Sequence, residues 1–135
     1  LDDSRRKVAE RGLPADIREG VGEDIPFASG SFDTVVTTFT LCSVAEPARV
    51  LAELKRVLKS GGQAIFLEHG RAPDESVRRW QARIDPIWSR LSGGCHLTRP
   101  IADAYEGAGF ATQRMGSRYM PGTPRPVGWI EWGVA

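Results

Sequence analysis

Two histidines and an aspartate, His69, His96 and Asp85, are the side chains best suited to take a proton from an incoming group, and each falls at a segment end or in a loop. Glu68 precedes His69 at the end of an apolar run, where it either meets a ligand or caps and solvates the edge of a strand. A second constellation, Gly20-Val21-Gly22-Glu23-Asp24, is acidic and glycine-containing. It suits a ligand that donates hydrogen bonds, from a purine amino group or ribose hydroxyls. A third, Thr38 to Val44, is small and polar. Bland readings stand beside these: Asp85 before Pro86 caps the second half of a broken helix, and His96 is a satisfied loop histidine. Cys42 and Cys95 lie far apart and fit neither a disulfide framework nor a zinc pattern. With two histidines and no partnering carboxylate motif, no metal site is expected.

These residues need a scaffold, and the pattern supplies one. Phe32 to Phe39 is β-branched through its middle and follows a Gly30-Ser31 turn, as a strand buried on both faces does. Pro47 opens a helix whose Val50, Leu51, Leu54, Val57 and Leu58 share one face, and Gly61-Gly62 is the expected left-handed stop. Gln63 to Glu68 is the next buried strand. Strand, helix and strand with short connections imply a right-handed crossover and a parallel sheet, with ligands beyond the carboxyl ends of its strands. That rule places Gly20 to Asp24, Thr38 to Val44 and Glu68 to Arg71 side by side.

The flanks are simpler. Residues 2 to 11 form a short exposed helix, and Ala15 to Glu19 a short strand. Ser76 to Leu91 is amphipathic, with Val77, Trp80, Ile84, Trp88 and Leu91 on one side and arginines around it, and Pro86 is expected to kink or split it after Ile84. A helix runs from Thr98 or Arg99 to Gly109. Two strands, Ala111 to Tyr119 and Val127 to Val134, close the chain as an antiparallel pair joined by a Pro/Gly-rich turn. At 135 residues, 41% hydrophobic and 26% charged, this is one domain at most. A formal net charge of +1 and the lack of a basic stripe exclude a nucleic-acid role. The free cysteines point to a reducing compartment, the cytoplasm. Helix 76–91 also admits a lid over the substrate, or adsorption to a membrane surface through its basic flanks.

The run GEDIPFASGSFDTVV, then TLCSVAEPARVLAELKRVLKSGG, then the strand ending in Glu68-His69, resembles the middle motifs of class I S-adenosylmethionine-dependent methyltransferases, especially those of ubiquinone and menaquinone biosynthesis. LCSV and DPIWSRLSGGCHLTRP are similar to segments of the thiol S-methyltransferases and their bacterial relatives. The resemblance implies a Rossmann-like α/β fold, S-adenosylmethionine as cofactor and a small methyl acceptor such as a thiol. It implies that Gly22 and Glu23 bracket the adenine and that Thr38, Phe39 and Ser43 line the methionine and ribose end. Where many members carry an adenine-contacting aspartate this chain has Val21, so Glu23 or Asp24 takes that role. For the acceptor, His69, Asp85 and His96 are the candidate bases.

The family's sheet runs three, two, one, four, five, seven, six, with a glycine-rich cofactor loop after strand one. Strands one and two have no counterpart in these residues, so the sheet is expected to be truncated at its N-terminal side, with strands four, five, seven and six still contiguous. The chain alone is then expected to be inactive, and to pair abnormally, to dimerise through its open sheet edge, or to be the remnant of a longer protein.

Overall fold

The computed structural model describes residues 2–135. Helix α1 (Asp2–Glu10) buries none of its side chains, as its run of charges dictates. Strand β1 (Phe32–Thr38) leads through the 39–46 loop into α2 (Pro47–Val57) and then β2 (Leu58–His69). Helix α3 (Glu75–Leu91) and α4 (Ile101–Gly107) follow, then β3 (Gln113–Tyr119), a single turn α5 (Arg125–Gly128) and β4 (Trp129–Val134). The sheet order is β1-β2-β4-β3, with β1 and β2 parallel and the other pairs antiparallel. The expected contiguous half-sheet and its antiparallel closing pair are both present.

One face of this sheet carries the core. Val50, Leu51 and Leu54 of α2 and Ile101, Ala102 and Tyr105 of α4 pack on Ala64 and Phe66 of β2. Tyr105 stacks on Phe66 at 4.8 Å between ring centroids, and its hydroxyl lies 3.0 Å from Thr37 Oγ1. Burial pushes the Tyr105 pKa up to about 12, so the ring acts as a neutral hydrogen-bonding spacer between helix and strand.

Five expectations fail, each for a local reason. Ala15 to Glu19 is irregular rather than a strand, because no neighbouring strand among the described residues offers it a ladder. β1 is not buried on both faces: α2 and α4 cover one side only, and Val36 on the other is 64% exposed. Gly61-Gly62 does not stop α2, which ends at Val57 with Leu58 already extended. Those glycines instead let β2 bulge across 59–62, where Leu58 pairs with Phe32 and Gln63 with Thr34. Gly61 sits at φ +77°, and a Cβ on Gly62 would lie 2.9 Å from the Asp33 carbonyl. Of the kink or split expected at Pro86, the split does not occur: α3 runs unbroken through it. Nor is the apolar side of α3 uniformly inward: Val77 and Gln81 are buried, whereas Trp80 and Leu91 are 56% and 82% exposed.

Candidate active site

The site is built on the carboxyl end of the parallel pair. As β1 ends, Phe39 turns to φ +50°, an unusual conformation for an aromatic residue, while its N–H still donates to the Leu67 carbonyl at 2.9 Å. The next four residues wind into a turn that Glu68 holds from the neighbouring strand. Its fully buried carboxylate accepts the Thr40 N–H at 3.0 Å and the Cys42 N–H at 3.4 Å. Glu68 is therefore a scaffold for the loop, with both oxygens occupied by backbone.

From the other side Arg99 grips the same turn. Its guanidinium donates to the carbonyls of Leu41 and Val44, the latter at 2.8 Å. Gly94, at φ +96°, allows close approach, since a Cβ there would lie 2.9 Å from the Ser43 carbonyl. The His96 N–H then donates to the Cys42 carbonyl at 2.7 Å. Sequence-distant loops 39–46 and 92–99 are thus stitched together through backbone groups.

Asp85 completes this half. Its Oδ1 accepts the Leu97 N–H at 2.6 Å, and its Oδ2 lies 2.8 Å from His96 Nδ1. It does not cap a second helix. A carboxylate only accepts, so this contact puts the proton on Nδ1 and leaves Nε2 with its lone pair. The side chain of His96 is 38% exposed, so that nitrogen can meet an incoming group. His69 packs against Phe39 with ring centroids 4.6 Å apart and planes tilted by 39°, and its Nδ1 lies 3.7 Å from Cys95 Sγ.

The acidic loop forms the other half. The Ile25 N–H donates to Glu53 of α2 at 2.9 Å, and Arg56 donates to the carbonyls of Ile25 and Phe27 at 2.9 and 2.8 Å. The Arg56 guanidinium beside it holds the Glu53 carboxyl down at about 2. Gly22 packs where a Cβ would meet Val50 at 3.2 Å. Glu23 accepts the Glu46 N–H at 3.2 Å, and this bond lowers its pKa. Asp24 and Thr38 are exposed, as is the ring of Phe39 at 40%.

The structure therefore gathers Phe39, Ser43, His69, Asp85 and His96 around one turn, and ties Gly22, Glu23 and Asp24 to it through Glu46. Thr38 stays at the rim. Sequence reasoning missed two features. Arg99 reads from the sequence only as a helix start, not as a clamp on the 39–46 turn. Cys42 and Cys95, expected to be unrelated, sit together: their sulfurs and a nitrogen of His69 lie within 4.8 Å of one another. A thiolate at Cys95 accepts from the Cys42 thiol, which pulls Cys95 down to about 7 and pushes Cys42 up. Only the shared motif LCSV…GGC, not any spacing, hinted at the pairing.

Comparison with known proteins supplies the context. A family described as a methyltransferase domain matches residues 1–66. The chain is 41% identical over 107 residues to thiol S-methyltransferase TMT1B of Rattus norvegicus, covering 78% of this chain and 42% of the relative. It is 28% identical to the ubiquinone/menaquinone biosynthesis C-methyltransferase UbiE of Desulfotalea psychrophila, covering 99% of this chain and 59% of that one. Among solved structures, a SAM-dependent methyltransferase of Thermotoga maritima, described as a possible histamine N-methyltransferase, superposes with a TM-score of 0.66 at 20% identity, over 96% of this chain and 67% of that one. The chain spans less than half the length of the rat relative.

Proposed function

We propose that the chain is part of a class I S-adenosylmethionine-dependent methyltransferase, in which it forms the adenine-side and acceptor-side half of a unit that methylates a small thiol. The cofactor supplies an electrophilic methyl group on a sulfonium. Methyl transfer is an in-line displacement, so the protein's share is mainly alignment. The residues present fit such a ligand. Gly22 keeps the acidic loop low, Asp24 has an exposed carboxylate for amino or hydroxyl donors, and Phe39 offers an exposed ring face. Glu23 has one oxygen engaged with Glu46 and one left for a ligand. Thr38 and Ser43 line the wall between.

On the acceptor side the Asp85–His96 pair carries the reading. Asp85 fixes the ring through Nδ1 and fixes the loop through Leu97, so Nε2 can take the proton of an approaching thiol. A thiol of ordinary pKa near 8.5 needs only this modest help, whereas an amine or phenol needs more. His69, packed under Phe39, is the alternative base. The relatives named as thiol S-methyltransferases support sulfur as the acceptor atom.

The test compares residues 1–135 alone with a chimera that joins them to the glycine-rich half of a relative, using radiolabelled S-adenosylmethionine and matched small thiols, phenols and amines. Label is expected in the thiols, with the chimera only. Micromolar cofactor binding by residues 1–135 alone overturns the view that the glycine-rich half is indispensable. Label in amines or phenols but not thiols overturns the acceptor.

A second reading rests on β1. Its outer edge has no ladder partner among the described residues and Val36 beside it is exposed, which supports association of two copies through that edge, without catalysis. Light scattering showing a monomer at all concentrations removes it. The partner surface of α3 is proposed separately: Trp80, Ile87 and Leu91 recur on one exposed face flanked by Arg79, Arg83 and Arg90, which suits adsorption to an anionic membrane. No helix among the described residues is long and apolar enough to cross one. Failure to sediment with anionic vesicles ends that proposal. The two free cysteines support a cytoplasmic location.

A further inference from the structure

The cluster beneath the acceptor-side turn contains more ligating capacity than methyl transfer uses. Cys42 Sγ, Cys95 Sγ and a nitrogen of His69 converge within 4.8 Å of one another, each from a different segment: the loop after β1, the loop after α3, and the end of β2. Both cysteines are buried and free. The His69 ring has Nδ1 toward Cys95, while its buried Nε2 has no partner among the described residues, so the imidazole holds capacity that no protein group absorbs.

One edge of the cluster has the length of a coordination-sphere edge. A tetrahedral ion with bonds of about 2.3 Å to sulfur and about 2.0–2.1 Å to nitrogen sets ligand atoms roughly 3.6 Å apart across a sulfur–nitrogen edge. Cys95 Sγ and His69 Nδ1 stand 3.7 Å apart. A disulfide would need the sulfurs about 2.05 Å apart and would leave His69 idle. The backbone already holds two of the ligands: Glu68 fixes the Cys42 N–H, and the Cys42 carbonyl accepts from His96, next to Cys95.

We propose that Cys42, His69 and Cys95 form a binding site for a thiophilic divalent cation, Zn²⁺ foremost, with a fourth tetrahedral position not filled by these three ligands. Cys42 and Cys95 ligate as thiolates and release two protons to solvent; His69 ligates as neutral imidazole. Two sulfurs and one nitrogen with an open position is a donor set found in catalytic rather than structural zinc sites. Resting on the thiol reading above, an acceptor reaching that position binds as its thiolate, because a coordinating thiol is deprotonated outright.

Cobalt(II) titration of the reduced 135-residue chain under anaerobic conditions tests the site without cofactor or acceptor, so its outcome is independent of whether methyl transfer to thiols occurs. The expected result is one equivalent of Co²⁺ with a sulfur-to-metal charge-transfer band and tetrahedral d–d bands, all displaced by Zn²⁺, together with protection of both thiols from a disulfide reagent. Cys95→Ser and His69→Gln should each weaken uptake by about a hundredfold or more, beyond what loss of an outer partner costs. His96→Gln should leave it unchanged. Circular dichroism of each variant checks that it remains folded. Absence of the charge-transfer band, or uptake that survives in folded His69→Gln and Cys95→Ser proteins, overturns the proposal.

Discussion

The two halves of the site are anchored by opposite means. On the proposed acceptor side, the 39–46 turn is held by the fully buried Glu68 beneath it, with the half-buried Arg99 across it and the 94–97 backbone against it. On the proposed adenine side, the loop from Val21 to Phe27 is held by the partly buried Glu53 and Arg56 of α2, while Asp24 and Val21 face solvent. A buried carboxylate bonded to backbone N–H groups fixes a loop strongly, because the alternative is a donor with no partner. A partly exposed ion pair fixes one less strongly, since water reaches either member. The 39–46 turn is therefore the more preorganised of the two, and the Val21–Phe27 loop is left more adaptable.

Breaking the strong anchor should produce the largest effect. Glu68→Ala strips two backbone donors of their acceptor and is expected to cost about 4 kcal/mol, taking roughly the middle of the range for two buried groups left unsatisfied, as read by urea unfolding. Glu68→Gln keeps an accepting oxygen and should recover at least half of that. Recovery of none would mean that shape rather than hydrogen bonding holds the turn. Asp85→Ala comes next, at about 2 kcal/mol for the Leu97 N–H and the His96 contact together. It should also lower methyl transfer more than Asp85→Asn, which retains an acceptor for Leu97; equal losses would assign Asp85 to stability alone.

A third change probes the core beside this half. Glu131 stands opposite Glu68 on β4, is buried, and accepts the Ala102 N–H at 3.2 Å at the start of α4. Burial raises its pKa above 4.5. With the folded value raised, the folded state holds the proton more tightly than the unfolded one. Its stabilising share is then complete below pH 4.5 and is lost as pH climbs through the raised value. Glu131→Gln should abolish that decline in the melting temperature, and parallel curves for the two proteins would refute the assignment. The smallest effect is expected on the weak side. Arg56→Ala should speed amide exchange at Ile25 and Phe27 while scarcely moving global unfolding, and unchanged exchange would show that the loop is held by something other than the arginine.

Much of the scaffold was legible because it rests on local pattern. The apolar face of α2, the β-branched middle of β1 and the run 63–68 each declare themselves within a dozen residues. The carboxyl-end rule points to loops that the structure does bring together, through Glu68 with Thr40 and Glu23 with Glu46. Other features were hidden for stated reasons. The bulge at Gly61-Gly62 looked like a helix stop because a positive φ serves either purpose. The exposure of Val36 could not be read from β1 itself, since burial depends on what covers the sheet. Continuity of α3 through Pro86 contradicts local preference, as packing at Val77 and Gln81 and the Asp85 bonds hold the segment together.

Residue order alone determined the α/β alternation, the parallel crossover and the motifs that this chain shares with methyltransferases, since hydrophobic period and turn chemistry act over short distances. Only the tertiary structure decided that Glu68 holds the 40–42 backbone, that Asp85 orients His96, and that Cys42, His69 and Cys95 share one small volume. Those relations join residues from 11 (Asp85 and His96) to 53 (Cys42 and Cys95) positions apart. No periodicity reaches that far, and only the crossover of the sheet and the return of the 92–99 loop bring such partners within bonding distance.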